Sequence, residues 1–446
     1  MSGSYKVYSE YKDSGIDWLH DIPLDWKTIQ IGRCYRRVKR AGFETEELLS
    51  VYRDYGVVPK SSRDDNNNKP SDDLSPYQLV CENDLVLNKM KAWQGSIAIS
   101  EFRGIVSPAY FVYEPMKKAN SLVFSKYVHY LLRHPIYINQ YMSRSKGIRV
   151  NQWDLDPEEF QRIELLLPEK EEQKKIIRFL DHETAKIDTL ITKQEKLIEL
   201  LQEKRQAVIS HAVTKGLNQD VPMKNSGVEW LGTVPEHWVI KALKHITSIY
   251  GRIGFRGYTT ADIVDEGEGA ITMSPSNIYN GMVSFEKVTY LSWDKYHESP
   301  EIQLKKGDVV IVKTGSTLGK VGYIDELISP TTLNPQLAVF KDTLCCNKWL
   351  YYLLSSALVQ AYVDNSNSGG TVPTMSQEKI RSYVVPVPTL EEQKGIAQYL
   401  DSQIKKIDCL ISKQNKMIHL MKERKEALIS AAVTGKIDVR NWQGGC

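Results

Sequence analysis

The run GSTLGKV, Gly315 to Val321, carries the glycines and lysine of a loop that could grip a phosphate. Its spacing does not suit that chemistry. Only three residues separate Gly315 from Gly319, and Val321 stands where a magnesium-binding Ser or Thr is required. The run therefore reads as a strand-to-strand turn. Glu171–Glu172, repeated as Glu391–Glu392, could pair for acid–base work, but both pairs open charged helix-like segments and suit the positive helix end better. The nine histidines form no spaced pair with a neighbouring acid, which removes metal-assisted hydrolysis. A GxSxG elbow and a glycine-rich fingerprint after a strand are both missing.

Positive charge, by contrast, is clustered. RRVKR (Arg36 to Arg40), NKMKAWQG (Asn88 to Gly95), SRSKGIR (Ser143 to Arg149) and GRIGFRG (Gly251 to Gly257) mix cations with glycines, amides and aromatics. Such loops can hold phosphates through Lys or Arg while amide and guanidinium groups reach base edges. The net charge is only +3, so a basic surface must be local.

A chain of 446 residues exceeds one compact core, so two or more domains are expected. Its 41% hydrophobic and 25% charged content is that of an ordinary soluble protein. The N-terminus lacks the apolar stretch of a secretion signal, and no apolar run reaches membrane-spanning length. Six cysteines without CxxC spacing suit reduced thiols. The expectation is a cytoplasmic, metal-free chain.

The elements that would position the basic loops are written twice. DSGIDWLHDIPLDW from Asp13 matches NSGVEWLGTVPEHW from Asn225, and PEKEEQKKIIRFLD from Pro168 matches PTLEEQKGIAQYLD from Pro388. About half the positions from Pro168 to Leu217 are identical to their counterparts from Pro388 to Ile437, whereas the blocks between differ strongly. Ile176, Leu180, Ile187, Ile191, Ile198 and Leu201 follow helical steps, as do Ile396, Leu400, Ile407, Ile411, Ile418 and Met421. Pro168 and Pro388 set the starts, and Gly216 and Gly435 the stops. Some 45 residues at 1.5 Å each would make a rod of roughly 65–70 Å. Its narrow apolar seam needs a partner, and the other copy supplies one, antiparallel about a pseudo-twofold axis. Gln194 and Gln414 then either meet in a polar contact that pins register or lie solvated at the seam's edge.

The expected fold is α/β: two mixed α/β domains joined by two long antiparallel helices in a coiled-coil stalk, with an internal pseudo-twofold repeat. The boundaries are 1–167 and 218–387 for the heads with their linker, and 168–217 and 388–446 for the helices and tail. LVCENDLVLN, GIVSPAYFVYE, KKGDVVIVKTGS and PQLAVF read as strands, and SLVFSKYVHYLL and NKWLYYLLSSALVQAY as helices. SRSKGIRVNQW and DNSNSGGTVPTMS read as polar loops before a last strand, IELLLP or VVPVP.

Together, the SGIDWLHDIPLDW and SGVEWLGTVPEHW anchors, the doubled EEQ…LD…KID helix, NKMKAWQGS…GIVSPAY and GDVVIVKTGSTLGKVGYI resemble the specificity subunits of bacterial type I restriction–modification enzymes over essentially the whole chain. The resemblance implies a non-catalytic chain with two target recognition domains, each reading one part of a bipartite, asymmetric target in double-stranded DNA. It implies two methyltransferase subunits docked on the helices and restriction/translocase subunits completing the complex. S-adenosylmethionine, ATP and Mg would belong to those partners and no cofactor to this chain. The polar loop positions favoured as DNA contacts are Lys89, Lys91, Gln94, Arg144, Lys146, Arg149, Asn151 and Gln152 in the first head. In the second they are Arg252, Arg256, Asn277, Lys313, Ser316, Thr317 and Lys320. Trp93 suits either the core or that surface. The competing reading is a two-headed coiled-coil scaffold that binds proteins; it would lack the steep salt dependence that phosphate contacts impose.

Overall fold

A computed structural model describes residues 5–53, 55–63, 70–149, 152–229, 231–252, 257–279, 281–366 and 373–444. The long helices run from Lys170 to Lys215 and from Leu390 to Val433. Two compact units emerge, Met1–Lys193 with Met417–Cys446, and Gln194–Lys416. The units therefore do not follow the repeat: each holds one half of each long helix, and the first is discontinuous in sequence.

The first unit is built on strands β1 (Tyr35–Val38), β2 (Leu85–Asn88), β3 (Ile97–Ile99) and β4 (Tyr110–Pro115), paired antiparallel in the order β1-β4-β2-β3. The second repeats this with β5 (Ser248–Tyr250), β6 (Val309–Val312), β7 (Val321–Tyr323) and β8 (Leu337–Lys341), in the order β5-β8-β6-β7. Two further short strands, Met282–Val283 and Ile278–Tyr279, extend the second sheet. In β2, Leu85 and Leu87 enter one apolar cluster and Val86 another; in β6, Val309 and Ile311 are divided from Val310 and Val312 in the same way. Both sheets are thus covered on two faces, as the period-2 alternation of a strand requires. Blocks that share little sequence share this sheet order.

In each half the segment after the tryptophan anchor pairs antiparallel with the strand leading into the long helix. Lys27–Gln30 pairs with Glu164–Leu167, and Val239–Ala242 with Val384–Val387. The helix start is then locked by the residues that sequence reading gave to the helix dipole. Glu172 Oε1 accepts from Tyr8 Oη at 2.6 Å and from Trp26 Nε1 at 3.1 Å. Glu392 Oε1 accepts from His237 Nε2 at 2.7 Å and Trp238 Nε1 at 3.2 Å. Burial pushes the Glu392 carboxyl up, yet the donors His237, Thr389 and Trp238 outweigh it and hold it below the usual carboxylate range. The neighbouring Gln173 and Gln393 are buried, their amide oxygens accepting from Phe124 N and Cys346 N at 2.8 and 2.7 Å. These bonds explain why the IP…W and EEQ blocks recur together.

The helix stops fall at Gly216 and Gly435, both left-handed at φ 77° and 72°, as a terminal glycine permits. A Cβ on Gly435 would lie 2.5 Å from Pro23 Cγ, and one on Gly216 would lie 3.3 Å from the Trp238 ring. Within the first unit the helix segments run antiparallel: Lys425 Nζ meets Asp188 at 2.7 Å, and farther along Lys175 Nζ donates to Arg440 O at 3.1 Å. The second unit does likewise, with Arg205 Nε on Asp408 at 3.1 Å and Ile209, Ala212 and Val213 packed with Ile396, Ala397 and Leu400. Asp188 and Asp408 are repeat counterparts, as are Arg205 and Lys425, so one ion pair is written twice.

Gln194 and Gln414 are both half-buried and make no register contact with each other. No hydrogen bond joins them among the described residues, and Gln194 Oε1 is buried without a partner. Register is supported instead by the duplicated ion pair. A second departure concerns SRSKGIRVNQW, expected as a loop. Ser145–Arg149 and Gln152–Leu155 form an antiparallel hairpin with an irregularity between Lys146 and Arg149. Its apolar residues are too few, among cations, glycine and amides, for their two-residue spacing to mark a strand.

Candidate nucleic-acid interface

In the first head the turn between β2 and β3 holds Lys89, Lys91 and Gln94. It is tightened by Lys91 N on Asn88 O (3.1 Å), Gln94 N on Lys91 O (3.0 Å) and Gly95 N on Ala92 O (2.8 Å). Gly95 is left-handed, and a Cβ there would come within 2.9 Å of Ile138 Cδ1, so the turn is pressed onto the helix Pro135–Ser143. Lys91 and Gln94 are exposed and Lys89 half-buried. Trp93 stands between core and surface: its ring meets Trp153 edge-on at 4.9 Å, and its Nε1 donates to Met90 O at 2.9 Å. Trp153 was passed over by sequence reading; an aromatic inside a polar stretch was the available signal. This contact joins the turn to the hairpin that carries the remaining candidates.

Arg144 caps the helix Pro135–Ser143, and its guanidinium donates to Gln140 Oε1. Lys146 is open to solvent, 3.8 Å from Asp156. Arg149 and Gln152 are partners in the hairpin register. Asn151 and Arg256 lie outside the described residues. The first-head candidates Lys89, Lys91, Gln94, Arg144 and Lys146 are therefore gathered on one turn and the start of one hairpin, a surface of cations and amides suited to phosphates and base edges.

GSTLGKV in the second head is the expected turn, joining antiparallel β6 to β7. Lys320 N donates to Thr317 O at 3.1 Å and Gly319 N to Val312 O at 2.9 Å. Ser316 and Thr317 are exposed, and Lys313 and Lys320 half-buried. Gly315 N donates to Pro373 O at 3.0 Å, tying the turn to the segment that precedes the last strand.

Two second-head candidates are corrected. Arg252 is 3% exposed and donates to Leu333 O at 3.0 Å and Thr332 Oγ1 at 3.2 Å, so its guanidinium braces the sheet interior. Asn277 is 5% exposed and its amide is saturated: Oδ1 accepts from Ser274 N, and Nδ2 donates to Ser284 O and Lys287 O. The Asn277 amide has no group left for a ligand, and Arg252 is buried away from one. The three arginines of RRVKR have partners within the head, with Arg40 on Asp84, Arg36 on Glu114 and Arg37 stacked 4.1 Å over Phe111.

Among the described residues no group of His, Cys, Asp and Glu is placed to hold a metal ion, and no helix is long and apolar enough to cross a membrane. A family model for the type I restriction modification DNA specificity domain matches the chain twice, over residues 23–200 and 235–419. The chain belongs to this family. It is a DNA-specificity subunit of a type I restriction–modification system and does no chemistry of its own. The specificity subunit of type I restriction enzyme MjaVIII from Methanocaldococcus jannaschii is 26% identical over 440 residues, covering 97% of this chain and 98% of that one. The EcoKI specificity subunit of Escherichia coli K12 is 21% identical, covering 95% and 91%. The fold agrees with a solved chain from work on assembly and conformational transition of the type I system, at TM-score 0.68, 15% identity and coverage of 93% and 99%. It also agrees with the HsdS subunit of Thermoanaerobacter tengcongensis, at TM-score 0.51, 16% identity and coverage of 93% and 98%.

Proposed function

We propose that each head of this specificity subunit reads one part of a bipartite, asymmetric target in double-stranded DNA. The observation that supports this most is the pair of sheets with one strand order and unlike surface loops. A common frame presents two different reading surfaces, so the two parts of the target differ in sequence. The long helices are uninterrupted, which suits a gap of fixed length between the parts.

Docking of two methyltransferase subunits falls to the helices. Leu190, Leu197 and Leu200 are 40–49% exposed, and their counterparts Leu410, Met417 and Leu420 are 44–49% exposed. The same apolar positions are thus left open twice, in keeping with two copies of one partner. S-adenosylmethionine, ATP and Mg would serve chemistry on the methyltransferase and restriction/translocase subunits, and the complex would act in the cytoplasm. Methylome sequencing of cells carrying this chain with its methyltransferase partner tests the reading. A two-part motif with a constant gap is expected; a continuous palindrome, or no motif, overturns it.

A further inference from the structure

The turns that follow β2 and β6 correspond residue by residue, and one functional side chain is the same in both. Asn83 N bonds Ser100 O at 2.8 Å where Gly307 N bonds Ile324 O at 2.8 Å, and Asp84 N bonds Cys81 O where Asp308 N bonds Lys305 O, both at 3.1 Å. Counting from these fixed points places Lys89 on Lys313 and Gly95 on Gly319. The intervening residues, MKAWQ and TGSTL, share nothing.

Each lysine is pinned by its backbone on both sides. Lys89 N donates to Ala109 O at 3.1 Å and Lys89 O accepts from Leu155 N at 3.0 Å; Lys313 N donates to Gln336 O at 2.8 Å and Lys313 O accepts from Met375 N at 2.9 Å. Leu155 and Met375 are each 1% exposed, so both anchor points belong to the core. Both lysines are half-buried, and among the described residues neither ammonium has a carboxylate or hydrogen-bond partner. Burial without a counter-charge pushes the Lys313 ammonium down from its ordinary value. A cation carried on a fixed backbone position with no internal anion is prepared for an external one.

We infer that Lys89 and Lys313 are matched phosphate anchors, one per head, which seat each head on the DNA backbone, while the unlike residues around them read the bases. This rests on the two-part DNA reading above. A point charge at an identical site in two heads that read different sequences needs a partner common to every sequence, and the phosphate is that partner.

The test uses the full chain assembled with its methyltransferase partner, titrated with duplexes that carry or lack its motif over a range of salt. Lys89→Ala and Lys313→Ala should each weaken both duplexes by the same factor, roughly tenfold near 0.1 M salt, and lower the slope of log affinity against log salt by about one. The double variant should lower it by about two, and Lys89→Arg with Lys313→Arg should restore it. The methylated motif should stay unchanged. A variant that alters one half of the motif, or loses affinity for the motif duplex alone, makes its lysine a base reader and overturns the inference. An unchanged salt slope does so as well. Failure of the unmutated complex to retain DNA would instead sink the DNA reading itself.

Discussion

The two turns, Lys89–Ser96 and Lys313–Lys320, differ in nearly every side chain yet hang from the same hydrogen bonds. Their frames are set by strands filled on both faces, by a buried Asp at the strand entry and by a glycine pressed on a neighbouring helix: Gly95 on Ile138, Gly319 on Val363. Side chains that project from the turn are released from the packing problem. Sequence can therefore drift at the tips without disturbing the core, and a head can acquire a new target at small cost in stability.

The most drastic way to break this comparison is to replace the hairpin Ser145–Leu155 with that of a relative. One half of the methylated motif should change entirely and the other half not at all, as read by methylome sequencing; a change in both would end the idea of separable heads.

Next in size are the helix stops. Gly435→Ala forces a side chain into a left-handed backbone and against Pro23, which should cost about 3–5 kcal/mol. Gly216→Ala meets only the edge of Trp238 and should cost about 1–2 kcal/mol. Equal losses in thermal unfolding would show that the two stops are packed alike.

The clamps should be unequal too. Glu172→Ala strands the donors of Tyr8 and Trp26, both buried, and should cost about 2–3 kcal/mol. In Glu392→Ala the imidazole of His237, 43% exposed in its side chain, can turn to water, so about 1–2 kcal/mol is expected from denaturant midpoints. Removing Asp188 or Asp408 from the exposed ion pairs should cost below about 1 kcal/mol.

The smallest contrast is in pH. Burial, with Arg133 or Lys436 nearby, pushes His129 and His134 down to about 4. A base held below its unfolded value binds fewer protons than the unfolded chain, so the first unit keeps its full stability above about pH 6.5 and loses it as pH falls toward 4. His134 Nε2 lies 2.7 Å from Ser430 Oγ, whereas the counterpart Ser210 accepts from the backbone of Ala357 at 3.0 Å and cannot titrate. Hydrogen-exchange protection factors, corrected for the intrinsic rate, should therefore fall between pH 7 and 5 more around His134 than around Ala357.

Much of this was legible in the residues. The duplication, the helix bounds near Pro168 and Gly216, and the strands IELLLP and VVPVP follow from local pattern, and the structure has them. The polar side chains were harder because their roles depend on distant neighbours. Arg252 and Asn277 have the composition of reading residues, and only the folding of Leu333, Ser284 and Lys287 around them converts them into braces. Glu172 looked like a helix-start charge because Trp26 is far away in sequence. The hairpin at Ser145–Leu155 escaped because the apolar positions of its strands, Ile148, Trp153 and Leu155, are few and set among the cations, glycine and amides of a loop-like composition.

The first unit closes with Met417–Cys446, and there Asp438 N bonds Lys6 O at 2.7 Å while Trp442 meets Phe179 edge-on. A ribosome delivering this chain would release every piece of the second unit before the last pieces of the first. The first of the two heads to be made must wait, incompletely covered, until Met417–Cys446 emerges. Synthesis order and maturation order are thereby reversed, and the earlier head is the one that would lean on a chaperone.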